Sequence, residues 1–282
     1  YPKCAFRIER SPAMQLTVVV ENFCQKQGLL AEWGYAVLLD TPEARVLLDT
    51  GGYCHTLTHN FKVLGIAPYS IDHIVLSHGH FDHTSGLIDA MRLNPQARVW
   101  AASAVGIEKR CDADQKRHGG GGACIKAACT DFIENYAHIT EAITAFTVPL
   151  KARDPRFVNA KDMWQIMPDG QLGPDLFEDD VSLLVKSELG YSLVLGCAHA
   201  GLPNIMRHVQ ETFRINEFHT VIGGTHLCAA TDETLPVWLE ALKAFRVKHW
   251  RPNHCTGFKA ACEIAKVFND VQWAGCGTKL II

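Results

Sequence analysis

Short apolar runs alternate with amphipathic segments along this chain, and most of the runs have the length of a strand. Residues 35–40 and 45–49 are two such runs, and the turn-forming residues between them predict a hairpin. Residues 235–245 instead carry apolar side chains on one stripe at helical spacing, which predicts an amphipathic helix. Strands that alternate with helices in this way predict a layered α/β fold.

Polar motifs with histidine follow four of the predicted strands. The strand at residues 71–76 leads directly into His78, His80, Asp82 and His83, and three later strands lead into His199, His226 and His254. Imidazole and carboxylate groups are common protein ligands of divalent transition metals. Because sites in α/β folds gather where strand ends meet loops, we expect these side chains to converge on one rim as a metal site. A polar loop that merely contains many histidines is the alternative.

Composition excludes two classes of partner. The 282 residues, of which 48% are hydrophobic, can bury the core of one large domain or of two small ones. A net charge of -3 provides no basic field, so electrostatic binding of nucleic acid is not expected. No apolar run approaches the roughly 20 residues of a membrane-spanning helix, so no membrane partner is expected either. The sequence does not decide the oligomeric state.

The 11 cysteines are scattered from Cys4 to Cys276, and no two of them form a C-x-x-C pair. An odd number of scattered cysteines in a chain of this length disfavours a disulfide framework and favours reduced thiols in the cytoplasm. Because the chain begins at Tyr1, the earlier removal of an export signal stays open.

The stretch at residues 77–83, Ser-His-Gly-His-Phe-Asp-His, resembles the metal-binding signature of the metallo-β-lactamase superfamily. Flanking motifs resemble the branch often labelled dihydropterin-synthase-like, and they lie at residues 21–22, 28–34, 47–51, 196–201, 223–227 and 254–257. The similarity runs from about Val18 to the C-terminus. It implies a single domain over residues 1–282, built as a four-layer αββα sandwich of two mixed sheets flanked by helices. Residues 108–180 are then expected to form a lid-like insertion.

Under this resemblance the candidate ligands divide between two ions, because a dinuclear site needs about six protein ligands. We assign His78, His80 and His199 to the first ion, and Asp82, His83 and His254 to the second. His226 is a ligand, a proton donor to a leaving group, or a hydrogen-bonded core histidine. We expect it near the site but outside the ligand set, and we name Asp82 and His226 as candidate catalytic residues.

One strand end departs from the superfamily pattern, which usually adds a bridging aspartate there. This chain has Cys197 and His199 at that strand end and no aspartate. His199 is therefore the third terminal ligand or the residue in the bridging place. Cys197 is a thiolate ligand or a small packed residue, and we expect packing beside the ligands. Asp49 is a carboxylate that orients a ligand histidine, which we favour, or a helix cap.

Two features of residues 108–180 bear on the site. Four consecutive glycines at residues 119–122 lack the signature of a phosphate-binding loop, and they predict a flexible loop or lid edge. Arg153 and Arg156 belong to a small basic cluster. In the branch that the chain resembles, this insertion lies near the mouth of the active site, and the guanidinium fork binds phosphate and carboxylate groups. Arg153 and Arg156 are therefore candidates for binding an anionic substrate, although a solvated surface cluster is the commoner explanation of such a pattern.

The expected chemistry is hydrolysis by a water whose pKa is lowered by metal. We expect two divalent ions, zinc by default, with manganese or iron as alternatives because nitrogen and oxygen ligands discriminate poorly among them. The branch that the chain resembles includes proteins of pterin biosynthesis and of phosphodiester chemistry. A phosphoesterase that acts on an anionic small molecule is therefore the leading expectation. The alternatives are a dihydropterin-phosphoribosyl condensing enzyme, a di-iron redox protein and a non-catalytic metal sensor.

Overall fold

A computed structural model describes residues 13–112, 117–158 and 162–282. Its strands in chain order are β1 (Gln15–Val20), β2 (Ala36–Asp40), β3 (Arg45–Leu48), β4 (His73–Val75), β5 (Arg98–Ala102), β6 (Lys109–Cys111), β7 (Arg117–Gly120), β8 (Asp131–Ile133), β9 (Tyr136–His138), β10 (Ile143–Thr147), β11 (Met163–Ile166), β12 (Leu172–Pro174), β13 (Val181–Ser187), β14 (Gly190–Val194), β15 (Glu217–Gly224), β16 (Arg246–Asn253) and β17 (Lys279–Ile281). The α-helices are α1 (Cys54–Leu64), α2 (Phe81–Thr84), α3 (Leu87–Leu93), α4 (Ala123–Ala128), α5 (Leu202–Phe213), α6 (Leu235–Leu242) and α7 (Phe258–Val267). Short 3-10 helices lie at Ser103–Gly106, Leu150–Ala152, Pro155–Phe157, Leu227–Ala229 and His254–Thr256. Within these described ranges, no helix has the length and apolar character needed to cross a membrane.

Two mixed sheets form the centre of the fold. The first has the strand order β17-β1-β2-β3-β4-β5-β8, and the second has the order β16-β15-β14-β13-β10-β9. In the first sheet the pairs from β3 to β8 are parallel and the others are antiparallel. In the second sheet β14, β15 and β16 are parallel to one another, and the remaining pairs are antiparallel.

Apolar side chains fill the space between the two sheets and also cover their outer faces. Val37 of β2 and Val194 of β14 belong to the same central core, so the two sheets face each other. The outer face of the first sheet packs against α1 and α3, through residues such as Phe61. The outer face of the second sheet packs against α5, α6 and α7, through residues such as Trp238. The predicted αββα order of layers is therefore confirmed.

The direction of the strands explains why distant histidines meet. β14, β15 and β16 are parallel, so the loops that follow them lie at the same edge of the second sheet. These loops carry His199, His226 and His254 in that order. β3 and β4 are also parallel, and the loops after them carry Asp49 and the motif that begins at His78.

Residues 108–180 contribute to all three sheets of the structure. β8, β9 and β10 extend the two central sheets, whereas β6, β7, β11 and β12 form a small antiparallel sheet in the order β12-β11-β6-β7. The small sheet lies beside the metal motif, because His80 forms an isolated bridge with Gly120 of β7.

The sequence predicted a flexible glycine loop at residues 119–122. This prediction is wrong for Gly119 and Gly120, which lie in β7, and for Gly121, which follows it. The Gly121 N–H donates a hydrogen bond of 2.5 Å to the Gly79 carbonyl, between two of the candidate ligands. Gly120 has a φ of +121°, and a Cβ atom there would lie 2.2 Å from the same carbonyl oxygen. Gly119, Gly120 and Gly121 therefore allow one backbone to approach another closely, whereas a Cβ atom at Gly122 would meet nothing within 4 Å.

Candidate metal centre

The structure brings all six predicted ligands together in the interior of the protein. His78 lies in the loop after β4, His80 directly precedes α2, and Asp82 and His83 lie on α2 itself. His199 and His254 reach the same place from the loops after β14 and β16. All six side chains are buried. Their ligand atoms form two groups of three, and these are the two trios that the sequence predicted.

The first trio consists of His78, His80 and His199. The Nε2 atom of His78 lies 3.0 Å from Nδ1 of His80, and the His199 ring centroid lies 4.8 Å and 4.9 Å from those of the other two. Neither ring nitrogen of His199 has a hydrogen-bond partner, although both are buried. Burial lowers the pKa of His78 and of His199 well below the usual value, so both rings are neutral, as metal ligation requires. Two unpaired ring nitrogens beside two further imidazoles fit a bound cation.

The second trio consists of Asp82, His83 and His254. The Nε2 atoms of His83 and His254 lie 3.2 Å apart, and Asp82 Oδ2 lies 3.8 Å and 3.5 Å from them. Burial would lower the pKa of His83, but the Asp49 and Asp82 carboxylates raise it to about 9. The surroundings of this ring therefore favour a positive charge, and a divalent cation would supply it.

Outer hydrogen bonds fix the orientation of the second trio. Asp49 Oδ2 lies 2.7 Å from Nδ1 of His83 and accepts a hydrogen bond of 2.6 Å from the Ser77 hydroxyl. This geometry suits the predicted orienting carboxylate. It does not suit a cap, because Tyr53 is the residue at the N-terminus of α1. Asn22 Oδ1 lies 2.9 Å from Nδ1 of His254, which leaves Nε2 of that ring free to face the site.

A buried ion-pair network that sequence reasoning missed supports the first trio. Asp175 Oδ2 lies 3.3 Å from Nε2 of His80, so that Nδ1 of this ring faces His78. Lys109 donates hydrogen bonds of 2.8 Å to Asp175 and 3.0 Å to Asp179. Burial would lower the pKa of Lys109, but Asp179 and Asp175 raise it above its usual value, so the buried amine stays charged.

The segment from Asp175 to Asp180 contacts other parts of the same trio. Asp179 accepts a hydrogen bond of 2.7 Å from the Gly79 N–H, between two ligands. The Phe177 ring stacks on His199 with centroids 4.2 Å apart and planes 4° apart. Asp180 accepts a hydrogen bond from the N–H of Ala200, next to His199, and burial raises the pKa of Asp180 to about 6. Three aspartates in six residues directly before an apolar strand were the available sequence signal.

Cys197 is buried beside the ligand histidines, and the structure leaves both a packed residue and a thiolate ligand possible for it. Its Sγ atom lies 3.1 Å from Nε2 of His83. It also forms a possible ligand group with His78 and His83, and another with His199 and His226. His199 lies with His78 and His80, which suits the place of a third terminal ligand, and it also lies with Cys197 and His226.

A cleft with a volume of about 320 Å³ opens onto the centre. The residues that line it include Trp33, Asp82, Arg117, Met163 and His226. His226 has 8% of its surface exposed, and its Nδ1 atom has no hydrogen-bond partner. It lies beside the first trio, with its ring centroid 4.4 Å from that of His199. This placement agrees with the expectation that His226 lies near the site but outside the two trios.

The two arginines predicted to bind substrate do not line this cleft. The Arg153 guanidinium donates hydrogen bonds to the carbonyls of Val148, Leu176 and Phe177, which is a structural role behind the first trio. Arg156 forms an exposed ion pair with Asp154. The geometry therefore corrects both assignments, and the arginine at the cleft is Arg117.

Comparisons with known proteins agree with this geometry. A family model described as the metallo-β-lactamase superfamily matches residues 34–166. The chain is 32% identical over 238 residues to the 7,8-dihydropterin-6-methyl-4-(β-D-ribofuranosyl)-aminobenzene-5'-phosphate synthase of Methanocaldococcus jannaschii, covering 80% of each chain. It is 28% identical over 268 residues to the uncharacterized protein MJ0448 of the same organism, covering 91% of this chain and 96% of that one.

A solved structure of a related protein supports the same family. The crystal structure of Tm1679, described as a metal-dependent hydrolase of the β-lactamase superfamily, superposes with a TM-score of 0.82 at 27% identity. The match covers 95% of this chain and 99% of that one. The chain therefore belongs to the metallo-β-lactamase superfamily.

Proposed function

We propose that this enzyme hydrolyses a phosphoester or phosphodiester bond in an anionic small molecule, at a centre of two divalent ions. The observation that carries the proposal is the contact between the two trios. His78 of the first and His83 of the second have ligand atoms within 4.8 Å of each other, which suits two neighbouring ions. His78, His80 and His199 would hold one ion, and Asp82, His83 and His254 the other.

The ions would supply Lewis-acid charge and an attacking water of lowered pKa. The protein supplies the proton transfers. The Asp82 carboxylate, held by His83 and His254, is placed to accept a proton from the water. His226 lines the cleft beside His199 and is the candidate to donate a proton to the leaving-group oxygen. Trp33 and Met163 also line this cleft.

An anionic substrate would find one arginine in the described lining of the cleft. Arg117 is about half exposed there and forms a bidentate ion pair with Asp112, so a phosphate group would compete with that carboxylate for the guanidinium. We expect zinc as the metal, with manganese or iron as alternatives, because imidazole and carboxylate ligands accept each of these ions. A cytoplasmic location stays a prediction.

A condensation is the second candidate function. The relative from Methanocaldococcus jannaschii is named a synthase, and its named product carries a 5'-phosphate. A dihydropterin-phosphoribosyl condensation on the same centre would use the same ligands. It too would act on a phosphorylated small molecule, so the two candidates differ in whether water or another nucleophile attacks.

Turnover of bis-p-nitrophenyl phosphate tests the proposed function. We expect release of p-nitrophenolate by the metal-loaded enzyme, loss of turnover after chelation, and recovery when zinc or manganese is added back. Absence of turnover by metal-loaded protein on both diester and monoester probes would contradict the proposal. A visible spectrum of the same sample tests the redox alternative, because a di-iron centre absorbs and a zinc centre does not.

A further inference from the structure

We propose that Cys197 binds metal as a thiolate and bridges the two ions of the centre. This inference rests on the proposed function only in requiring that metal occupies the site. It concerns the donor atoms, and it reverses the expectation that Cys197 is a small packed residue.

The position of the Cys197 sulfur carries the inference. Its Sγ atom lies within 4.8 Å of ligand atoms from four members of the two trios, and these are His78, His83, His199 and His254. Two of these histidines belong to each trio, so the sulfur lies between the two proposed ions. The side chain is 3% exposed and faces the cleft. A bridging ligand must occupy this kind of position.

The groups around the Cys197 sulfur distinguish a metal ligand from a residue that serves only for packing. A buried cysteine that serves only for packing behaves as a small hydrophobic side chain among apolar neighbours. Sγ of Cys197 instead lies 3.1 Å from Nε2 of His83, the ring nitrogen that faces Asp82 and His254. The sulfur therefore shares its surroundings with the proposed donor atoms.

The chemistry of ligation balances without any oxidant or reductant. The S–H bond of Cys197 breaks, its proton passes to water, and the sulfur lone pair forms the bond to the metal. A buried thiolate without a partner would be costly, but two cations on either side would stabilise it. A sulfur donor also makes the set softer, which favours zinc or ferrous iron over manganese.

Cys255 is the residue that must be distinguished from Cys197. Its Sγ atom also lies within 4.8 Å of Cys197 and His254, but it shares no possible ligand group with His78, His83 or His199. It accepts a hydrogen bond of 3.2 Å from the backbone N–H of His226. We therefore assign Cys255 to the support of the His226 loop and Cys197 to the metal, which makes Cys255→Ser the matched control.

X-ray absorption at the zinc edge measures the sulfur directly. For wild-type protein loaded with zinc we expect a sulfur shell at about 2.3 Å in addition to the nitrogen and oxygen shell. We expect this shell to disappear in Cys197→Ser and in Cys197→Asp and to persist in Cys255→Ser. In cobalt-loaded samples, the near-ultraviolet sulfur-to-cobalt charge-transfer band should follow the same pattern.

Two results would overturn the inference. One is fully metal-loaded wild-type protein without a sulfur shell, which needs no variant and stands even where a variant fails to fold. The other is a shell that persists in Cys197→Ser and disappears in Cys255→Ser. Neither readout depends on turnover, so a failure of phosphodiester hydrolysis leaves the assignment testable. Loss of the sulfur shell likewise leaves the proposed hydrolysis standing.

Discussion

Asp82→Asn is expected to reduce turnover of a phosphodiester on the order of 10²–10⁴-fold, with a smaller effect on the Michaelis constant. The reason is that the carboxylate lies within 3.5 Å of His254 and 3.8 Å of His83 and has to accept a proton, which an amide does poorly. Asparagine has nearly the same shape, so α2 keeps its packing. Steady-state kinetics at saturating metal measure the effect, and thermal unfolding monitors the fold.

A surface aspartate provides the matched control for this substitution. Asp89 lies on α3 and pairs with an exposed Arg92, and Asp89→Asn should leave turnover unchanged. Wild-type turnover by Asp82→Asn, with metal content equal to that of the wild type, would show that this carboxylate has no part in the chemistry.

His226→Gln is expected to act selectively on substrates with poor leaving groups. If His226 protonates the departing oxygen, hydrolysis of an alkyl phosphodiester should fall on the order of 10²–10⁴-fold. Release of p-nitrophenolate needs little protonation, so turnover of bis-p-nitrophenyl phosphate should change far less. The measurement is the ratio of kcat values for the two substrates in the variant and in the wild type.

The equivalent change at an exposed histidine controls for the loss of an imidazole elsewhere. His55 lies on α1 with its side chain in solvent, and His55→Gln should leave both rates unchanged. An equal loss on both substrates in His226→Gln, accompanied by loss of metal, would identify His226 as a ligand and not as a proton donor.

The sequence predicted the two trios because their chemistry is local or follows from topology. Four of the six residues lie within six positions of one another, and His199 and His254 follow strands that are parallel neighbours of β15. Regular alternation of strands and helices predicted the layers. Ligands that are close in sequence, and strands that alternate with helices, can both be recognised from the order of residue types. The structure supplies the distances between the ligand atoms.

Other parts of the site leave no such pattern. Asp175 and Lys109 are 66 residues apart, and only the packing of the small sheet against the site brings them together. Cys197 has the same sequence context whether it packs or binds metal, so only its distances to the histidines distinguish the two. Arg153 was predicted to bind substrate because it belongs to a basic cluster in the sequence. The sequence does not show that its guanidinium donates hydrogen bonds to backbone carbonyls instead.

The glycines at residues 119–122 show how one composition can have two structural causes. Glycine is required both where the chain is mobile and where two backbones approach closely. The contact of Gly121 with Gly79 identifies close approach as the cause here. This contact also connects β7 to the metal motif, which explains why a residue of that strand, Arg117, reaches the cleft.

The central claim is that the centre binds two ions, one in each trio. Anomalous diffraction above the zinc edge, from crystals of zinc-loaded protein, tests it most directly. The account predicts two peaks, one among His78, His80 and His199, and the other among Asp82, His83 and His254. A single peak, or zinc bound at a place away from these residues, would contradict it.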